Sequence, residues 1–375
     1  MPLVPNVPRD KSDQAPQEHR FPCEQCGADL RFAPGVTELV CPQCGHQQSI
    51  RADTSIEDAT REQDFNQILA KLESAAPMEE TRVTSCPNCG AQIEFQPDIH
   101  ATECPFCAAP VVADTGTHRH IKPAALVPFG FDENTARKAM TDWLGRLWFA
   151  PNGLQDYARK GRPLNGIYVP YWTYDADTKS SYTGQKGVHY YETQRITVNG
   201  KSETRQVQKT RWYPASGRVA RFFDDVLVLG STSLPKQYTD GLAPWNLTDL
   251  HAYAPQYLAG FRAEGYQVQL DQGFVEARQI MDNVILSDVR QDIGGDVQRV
   301  NNVDTDVNDV TFKHILLPVW LAAYKYRDRT FRFVVNGQTG KVQGERPYSA
   351  WKITFAVIVG AIVAGAIGYA VYLNQ

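Results

Sequence analysis

The chain has 375 residues, long enough for two or three domains. It carries 38 Lys and Arg against 42 Asp and Glu, a formal net charge of −4, and 11% of its residues are aromatic. This composition excludes a largely disordered chain and predicts a folded, mostly soluble bulk. Residues 1–20 differ, because their prolines and polar residues show no periodicity. We expect them to form a disordered lead.

All eight cysteines lie between positions 23 and 107, as four Cys-x2-Cys pairs. Fourteen residues separate the first pair from the second and the third pair from the fourth, and each cysteine of the second set follows its counterpart by 63 positions. This regularity indicates an internal duplication. The pairs are Cys23 and Cys26, Cys41 and Cys44, Cys86 and Cys89, and Cys104 and Cys107.

Two Cys-x2-Cys pairs separated by a loop are typical of a structural zinc site, since Zn²⁺ prefers four soft ligands at tetrahedral corners. We therefore predict two Zn²⁺ ions, each held by four thiolates. Four thiolates leave no position for water or substrate, so the predicted sites are structural. Disulfides are the alternative, but no secretory signal precedes the cysteines. His46, His118 and His120 lie nearby as substitute ligands, although exposed histidines are the simpler interpretation.

The residues around the cysteines support two zinc ribbons, at 21–51 and 81–113. Gly27, Gly45 and Gly90 each follow the second cysteine of a pair, where a positive φ lets the chain turn back. Between the ribbons, at 52–80, apolar residues at helical spacing predict a linker with a helix at about 55–75.

The first 120 residues contain nine Lys or Arg and eighteen Asp or Glu, a net charge of −9. Two four-thiolate zinc sites would make this region still more negative. Because nucleic-acid affinity depends on basic residues that neutralise phosphates, we consider nucleic acid an unlikely partner.

Residues 114–346 predict an aromatic-rich α+β domain. Asp132 is the expected N-cap of a helix at about 132–148, and a longer helix is expected at 274–293. Strands are expected at 167–174 and near 180–198, 203–214 and 217–230, with Asp224 and Asp225 solvated in a turn. Further strands are expected at 297–310, 316–324 and 330–335. Pro170-x-Trp172 and Pro318-x-Trp320 suggest two related β-units.

The segment Ile353–Leu373 has no charged residue and predicts a transmembrane helix. Arg346 and Lys352 precede it and no basic residue follows, so the N-terminal bulk is expected in the cytoplasm of a single-pass protein of the bacterial inner membrane, with this segment in the lipid bilayer. Small residues at four-residue spacing favour close helix approach and hence a homo-oligomer. These residues are Gly360, Ala364 and Gly368.

The sequence has no recognisable catalytic motif. The segment Gly337–Val342 differs from a phosphate-binding loop in its glycine spacing and lacks Ser or Thr after Lys341. No nucleophile, metalloprotease or dinucleotide fingerprint is present. We therefore expect a protein that is not an enzyme.

The cysteine pairs, the run Gly166–Trp172 and the run Asn336–Val342 before an apolar terminal segment resemble those of bacterial membrane-tethered double zinc-ribbon proteins. Such proteins are often labelled TFIIB-type zinc-ribbon proteins or primosomal protein N′ (replication factor Y), superfamily II helicase. The resemblance implies partners among membrane-stress or membrane-organising scaffolds. A helicase motor would need a Walker A lysine and an acidic box, and the sequence supplies neither.

The sequence thus predicts a multidomain, mainly β fold with α+β character: two small zinc β-ribbons, an aromatic-rich α+β domain and one C-terminal transmembrane helix. The favoured function is a membrane-anchored cytoplasmic adaptor that binds protein partners. The alternative is a nucleic-acid-binding protein of replication, without an ATPase motor of its own. Salt-dependent DNA binding by residues 1–120 would favour that alternative.

Overall fold

The structure is a computed structural model of the full chain. It describes residues 21–50, 55–73, 79–85, 91–94, 101–103, 110–112, 116–147, 164–198, 201–326, 329–345 and 350–373.

The helices of these residues range from one turn to 24 residues. They are α1 (Ile56–Ala59), α2 (Phe65–Glu73), α3 (Glu133–Gly145), α4 (Lys236–Asp240), α5 (Leu270–Ile293) and α6 (Ala350–Leu373). Short 3₁₀ turns cover Leu247–Asp249 and Pro255–Leu258.

The strands are mostly short, with three long exceptions. They are β1 (Arg31–Ala33), β2 (Glu38–Val40), β3 (Gln47–Ser49), β4 (Gln63–Asp64), β5 (Glu79–Ser85), β6 (Gln92–Glu94), β7 (Ala101–Glu103), β8 (Pro110–Val112), β9 (Gly116–His120), β10 (Ala125–Leu126), β11 (Asn165–Val198), β12 (Lys201–Leu229), β13 (His251–Ala252), β14 (Arg262–Ala263), β15 (Val297–Tyr326), β16 (Arg329–Asn336) and β17 (Val342–Gly344).

The body of the protein is a nine-stranded sheet built on β11, β12 and β15. β11 pairs antiparallel with β12 on one side and with β15 on the other, so that Tyr171 lies between Leu229 and Ile315. The shorter strands β4, β10, β13, β14, β16 and β17 extend this sheet beside the beginning of β11 and the second half of β15. The core of the molecule therefore lies along the first half of β11, where it pairs with the second half of β15.

Alternation along β11 divides the core between two faces of the sheet, as expected for a strand buried on both sides. Ile167, Val169 and Tyr171 belong to one apolar cluster, with the loops around Leu234 and Leu242. The even-numbered residues face the opposite way. Tyr168 packs in a second cluster, and Trp172 and Tyr174 pack in a third.

Helix α5 covers the Trp172 end of that even-numbered face. Its buried stripe includes Ala277, Met281 and Ile285 at helical spacing. The start of the helix is fixed by two side chains of β11. Trp172 Nε1 donates to the carbonyl of Val268 at 3.0 Å, and the Tyr174 hydroxyl donates to that of Leu270 at 2.7 Å.

Several local predictions are confirmed. Asp132 caps α3 by accepting from the backbone N–H of Thr135 at 3.0 Å, and Ala136, Met140 and Leu144 form its buried stripe. The predicted helix at 274–293 forms, and begins four residues earlier as α5.

Other predictions were wrong in how they divided the chain. The expected series of short strands from 167 to 230 is two long strands, and 297–326 is one continuous strand. Polar residues on the exposed half of each strand mimic turn signals, but pairing with a neighbour carries the strand through them. The linker helix is interrupted by β4, which pairs with β15.

The predicted transmembrane helix at 353–373 is contradicted. Among the described residues, no helix is both long and apolar enough to cross a membrane. Helix α6 carries exposed apolar side chains, including Phe355, Ile362 and Ile367. The predicted fold class and the single-pass inner-membrane localisation, which depended on this helix, are wrong as stated.

Candidate metal centre

The first ribbon, β1 to β3, ends in two cysteine knuckles with the same backbone pattern. The N–H of Gly27 donates to the carbonyl of Cys23 at 2.8 Å, and that of Gly45 to Cys41 at 3.0 Å. Both glycines have φ of 73°. The prediction that each chain turns back with positive φ after its second cysteine is confirmed for these two knuckles, since only glycine adopts that conformation without steric strain.

The two knuckles bring four sulfur atoms together. Cys23 Sγ lies 3.6 Å from Cys44 Sγ, and Cys26 Sγ lies 3.5 Å from Cys41 Sγ. All four sulfurs lie within 4.8 Å of one another, so the group could hold a metal ion. Cys23 and Cys41 are buried, whereas Cys26 and Cys44 are exposed.

Backbone N–H groups point at these sulfurs and favour the thiolate form. Hydrogen bonds from the backbone of Cys44 and Gln43 lower the pKa of Cys41 to about 6, against burial, which opposes the shift. Backbone hydrogen bonds from Ala28 and His46 likewise act to lower the pKa of Cys26 and Cys44, but burial and hydrogen bonds with neighbouring cysteine sulfurs raise both pKa values overall. Thiolates are the form in which cysteine binds metal, so this backbone is arranged for metal ligation.

The ribbon is docked against the body of the protein. The N–H of Phe32 donates to the carbonyl of Ala259 at 2.9 Å, and that of Gly35 to Phe129 at 3.0 Å. The ring of Phe32 packs against Tyr257 and Phe261, with centroids 5.3 and 6.0 Å apart. The buried ligands Cys23 and Cys41 belong to the same apolar cluster as Tyr168 and Trp320 of the main sheet. The four-sulfur group therefore lies where the ribbon meets the body of the protein.

The other predicted ligands, Cys86, Cys89, Cys104 and Cys107, lie outside the described residues. Strands β5 to β9 flank them, with β5 paired to β6 and β9 and with β7 paired to β8. His46 is half-buried and contributes its carbonyl to the knuckle, accepting from Cys41 N–H at 2.8 Å. It does not belong to the four-sulfur group. The imidazoles of His118 and His120 lie outside the described side chains.

A second polar group lies where β4 joins the main sheet, and the sequence did not predict it. Glu62, Asp175 and Asp224 place carboxylate oxygens within 4.8 Å of one another. Lys313 is inserted beside them: its ammonium lies 2.8 Å from Asp225 and 3.3 Å from Glu62. Since Lys313 places one buried positive charge among these carboxylates, the group is an ion-pair network in which the acidic side chains outnumber the basic one.

Irregular pairing creates this network. The register of β11 against β12 shifts between Tyr174 and Ala176, and Asp225 has φ of 52°. The shift brings the N–H of Asp225 to Asp175 at 2.7 Å. Asp224 is exposed as expected, but the prediction of a turn with two solvated carboxylates was wrong for Asp225. The sequence feature that could have indicated this network is Lys313, a lysine inside the mostly apolar run Phe312–Leu316.

The side chains of this network shift one another's pKa values. Burial, together with the hydrogen bond to Glu62, raises the pKa of Asp175 to about 7. The pKa of Glu62 is lowered by its hydrogen bonds to Asp175 and Thr311 and by Lys313. Although burial alone would lower it, the bond to Asp225 and the nearby carboxylates raise the pKa of Lys313. Asp175 therefore holds a proton near neutral pH.

Together these features define the chain as a mainly β protein with a docked ribbon whose four cysteines could hold a metal ion. It is similar to the uncharacterized protein YdjG of Bacillus subtilis (strain 168), at 26% identity over 345 residues, which cover 91% of this chain and 94% of that protein. No family model matches the chain, and no solved structure matches it. The four-cysteine group is compatible with the expected zinc ribbon.

We expect the four-sulfur group to hold the ribbon on the body. Replacing Cys41 with Ser removes a buried ligand, so ribbon 1 should leave its docked position. The measurement is hydrogen exchange at the amides of Phe32 and Gly35, which make the docking bonds; their protection should fall by about tenfold or more, equivalent to about 1.4 kcal/mol. The control is Gln43→Ser, in the same knuckle but not a ligand. Equal protection in both variants would contradict this role.

The raised pKa of Asp175 predicts a pH-dependent stability. Because the folded protein keeps a proton that the unfolded chain releases at lower pH, the free energy of unfolding should fall as pH rises towards about 7. Because the pKa of Glu62 is lowered, its contribution to the free energy of unfolding is lost only at a pH below the ordinary pKa of a glutamate. Asp175→Asn retains an acceptor for Asp225 and has no proton to lose. Between about pH 5 and pH 8 the wild type should lose about 1–2 kcal/mol relative to this variant in urea titrations. If the free energy of unfolding changes with pH in the same way in wild type and in Asp175→Asn, the raised pKa of Asp175 is refuted.

Proposed function

We propose that this protein is a zinc-stabilised adaptor that binds partner proteins and performs no chemistry at its metal centre. The observation that carries the proposal is the position of the four sulfurs at the base of the docked ribbon, with Cys23 and Cys41 inside the apolar cluster. A metal there would hold one surface element on another.

The donor set fits Zn²⁺. Four sulfurs placed tetrahedrally at about 2.3 Å from zinc are separated from one another by about 3.8 Å. The distances of 3.5 and 3.6 Å between the closest sulfur pairs are near this value. The ligands would be Cys23, Cys26, Cys41 and Cys44. The duplicated spacing extends the proposal to a second ion at Cys86, Cys89, Cys104 and Cys107.

A zinc ion with four thiolates is closed to substrate, and this supports a structural role. The chemistry that zinc supplies here is the cross-linking of the two knuckles. Backbone hydrogen bonds lower the pKa of Cys41, and Phe32 joins the ribbon to the body by packing on Tyr257 and Phe261. The ion-pair network at Lys313 is also accounted for by structure, since it fastens β4 to the main sheet.

The charge of the ribbon disfavours nucleic acid as its partner. Residues 21–50 contain three acidic side chains and one basic side chain. Four thiolates around one Zn²⁺ add a further formal charge of about −2. Phosphate backbones would be repelled by this surface, because nucleic-acid affinity depends on basic residues. Partner proteins are the class that the ribbon fits best.

The test is affinity purification of the full chain under native conditions, followed by identification of the proteins recovered. A specific partner should be recovered with wild type and with Gln43→Ser, and its recovery should fall by about tenfold with Cys23→Ser, Cys41→Ser, since the ribbon would no longer be held. A chain that is recovered alone in every case, or a partner that ignores the cysteine changes, would overturn the proposal.

A further inference from the structure

The hairpin of β11 and β12 extends beyond the rest of the sheet. Strand β15 begins at Val297, which pairs with Gly187, and helix α5 ends at Ile293. Beyond this point the described residues 188–195 and 204–211 pair only with each other. We call these residues the hairpin tip. One of its faces continues the surface that α5 covers further down.

Strand alternation identifies that face. Tyr182 lies on the helix side, because its hydroxyl donates to Asp292 of α5 at 2.5 Å. A Cβ at Gly184 would lie 2.9 Å from Cδ1 of Ile293, so this position also faces the helix. Since side chains two residues apart share a face, Val188 and Tyr190 continue on the same side. Their partners in the register, Arg211 and Lys209, lie there with them.

The side chains on this face are apolar and basic. Val188, Tyr190 and Tyr213 are 37%, 38% and 46% exposed, which is high for large apolar side chains. We define the basic face by these three residues with Arg205, Lys209 and Arg211. The guanidinium of Arg211 lies 5.0 Å from the ring centre of Tyr190. Lys209 forms an ion pair with Glu192, the acidic residue of this face among the described side chains.

The opposite face of the tip is less basic. On β12 it carries Thr204, Gln206, Gln208 and Thr210, all neutral and polar, and on β11 it carries His189, Tyr191, Thr193 and Arg195. The three basic residues of β12 in the described part of the tip thus lie on the side that α5 occupies further down the hairpin. This asymmetry provides a matched control within one strand.

Helix α5 shows what this surface accepts. The helix carries five Asp or Glu and two Arg, and its apolar stripe is buried against the hairpin. Asp288 receives both a 2.6 Å and a 2.7 Å hydrogen bond from the guanidinium of Arg221 on β12. Apolar contact along the centre, with carboxylates paired to Arg and Tyr, is therefore how this side of the hairpin binds a helix.

We propose that the basic face binds an acidic amphipathic helix of a partner protein, which would extend the layer formed by α5. Eight residues of each strand give the face a length of about 26 Å, which a helix of about 17 residues matches. Charge complementarity selects the partner: the face has three basic side chains against one acidic side chain, and α5 pairs with the same hairpin through carboxylates. The inference rests on the proposed adaptor function and names its binding surface.

The experiment uses the full zinc-loaded chain and a labelled peptide with the sequence of residues 270–293, the acidic amphipathic helix that packs on the adjoining part of this hairpin. Fluorescence anisotropy should show saturable binding. The variant Arg205→Gln, Lys209→Gln, Arg211→Gln should weaken it by about tenfold or more. The control Thr204→Glu, Gln206→Glu, Gln208→Glu changes the net charge equally on the opposite face, and should change affinity by less than about twofold.

A second peptide tests the helix itself. Ile285→Pro in the peptide leaves its charge unchanged but breaks the helix, and should abolish binding. Equal effects of the two protein variants, equal binding of the two peptides, or no binding of the first peptide would overturn the proposal. So would tighter binding of oligothymidine or of anionic phospholipid vesicles that is lost in the Gln variant.

These outcomes are separable from failure of the adaptor function. The Gln variant keeps all eight cysteines. If it still recovers a partner in the native purification described above, in a manner that depends on Cys23 and Cys41, the adaptor function stands and the basic face is not its binding surface.

Discussion

The pairing of β11 with β15 is the constraint on which the rest of the structure depends. Val169 pairs with Leu317, and a local two-fold axis through this pair relates Pro170 to Pro318 and Trp172 to Trp320. Both tryptophans are buried on the same face of the sheet, on opposite sides of this axis. Burying each such aromatic side chain stabilises the fold by roughly 2–3 kcal/mol. The relation between the two β-units remains a prediction, but their motifs occupy equivalent places.

Different elements of the molecule pack over each of these two tryptophans. At Trp172 the covering element is α5, held by hydrogen bonds from β11. At Trp320 the covering side chains are Phe129 and Phe261, and the ribbon packs on Phe261 through Phe32. A ribbon of three three-residue strands is too small to bury a core of its own, so it needs both the metal and the body. This explains why two of its sulfurs lie inside the apolar cluster and two face outward.

Sequence reasoning succeeded where chemistry is local. The cysteine spacing and the glycines after Cys26 and Cys44 specify knuckles without reference to the rest of the chain. The capping residue Asp132 likewise defines its helix start. The pairing of strands distant in the sequence could not be predicted from local sequence in this way. The length of β11 depends on β12 and β15, and the network at Lys313 depends on a register shift that brings together residues 62, 175, 225 and 313. An apolar terminal segment was also insufficient to predict a transmembrane helix, as the described part of α6 shows.

The central claim is that Cys23, Cys26, Cys41 and Cys44 hold a zinc ion that fastens the ribbon to the sheet. Elemental analysis of the purified chain, paired with the same analysis of Cys23→Ser, Cys41→Ser, tests it most directly. The account predicts that wild type contains zinc and that the variant contains about one ion fewer per chain, since removing two of four ligands abolishes tight binding. Wild type without zinc, or an unchanged zinc content in the variant, would contradict it.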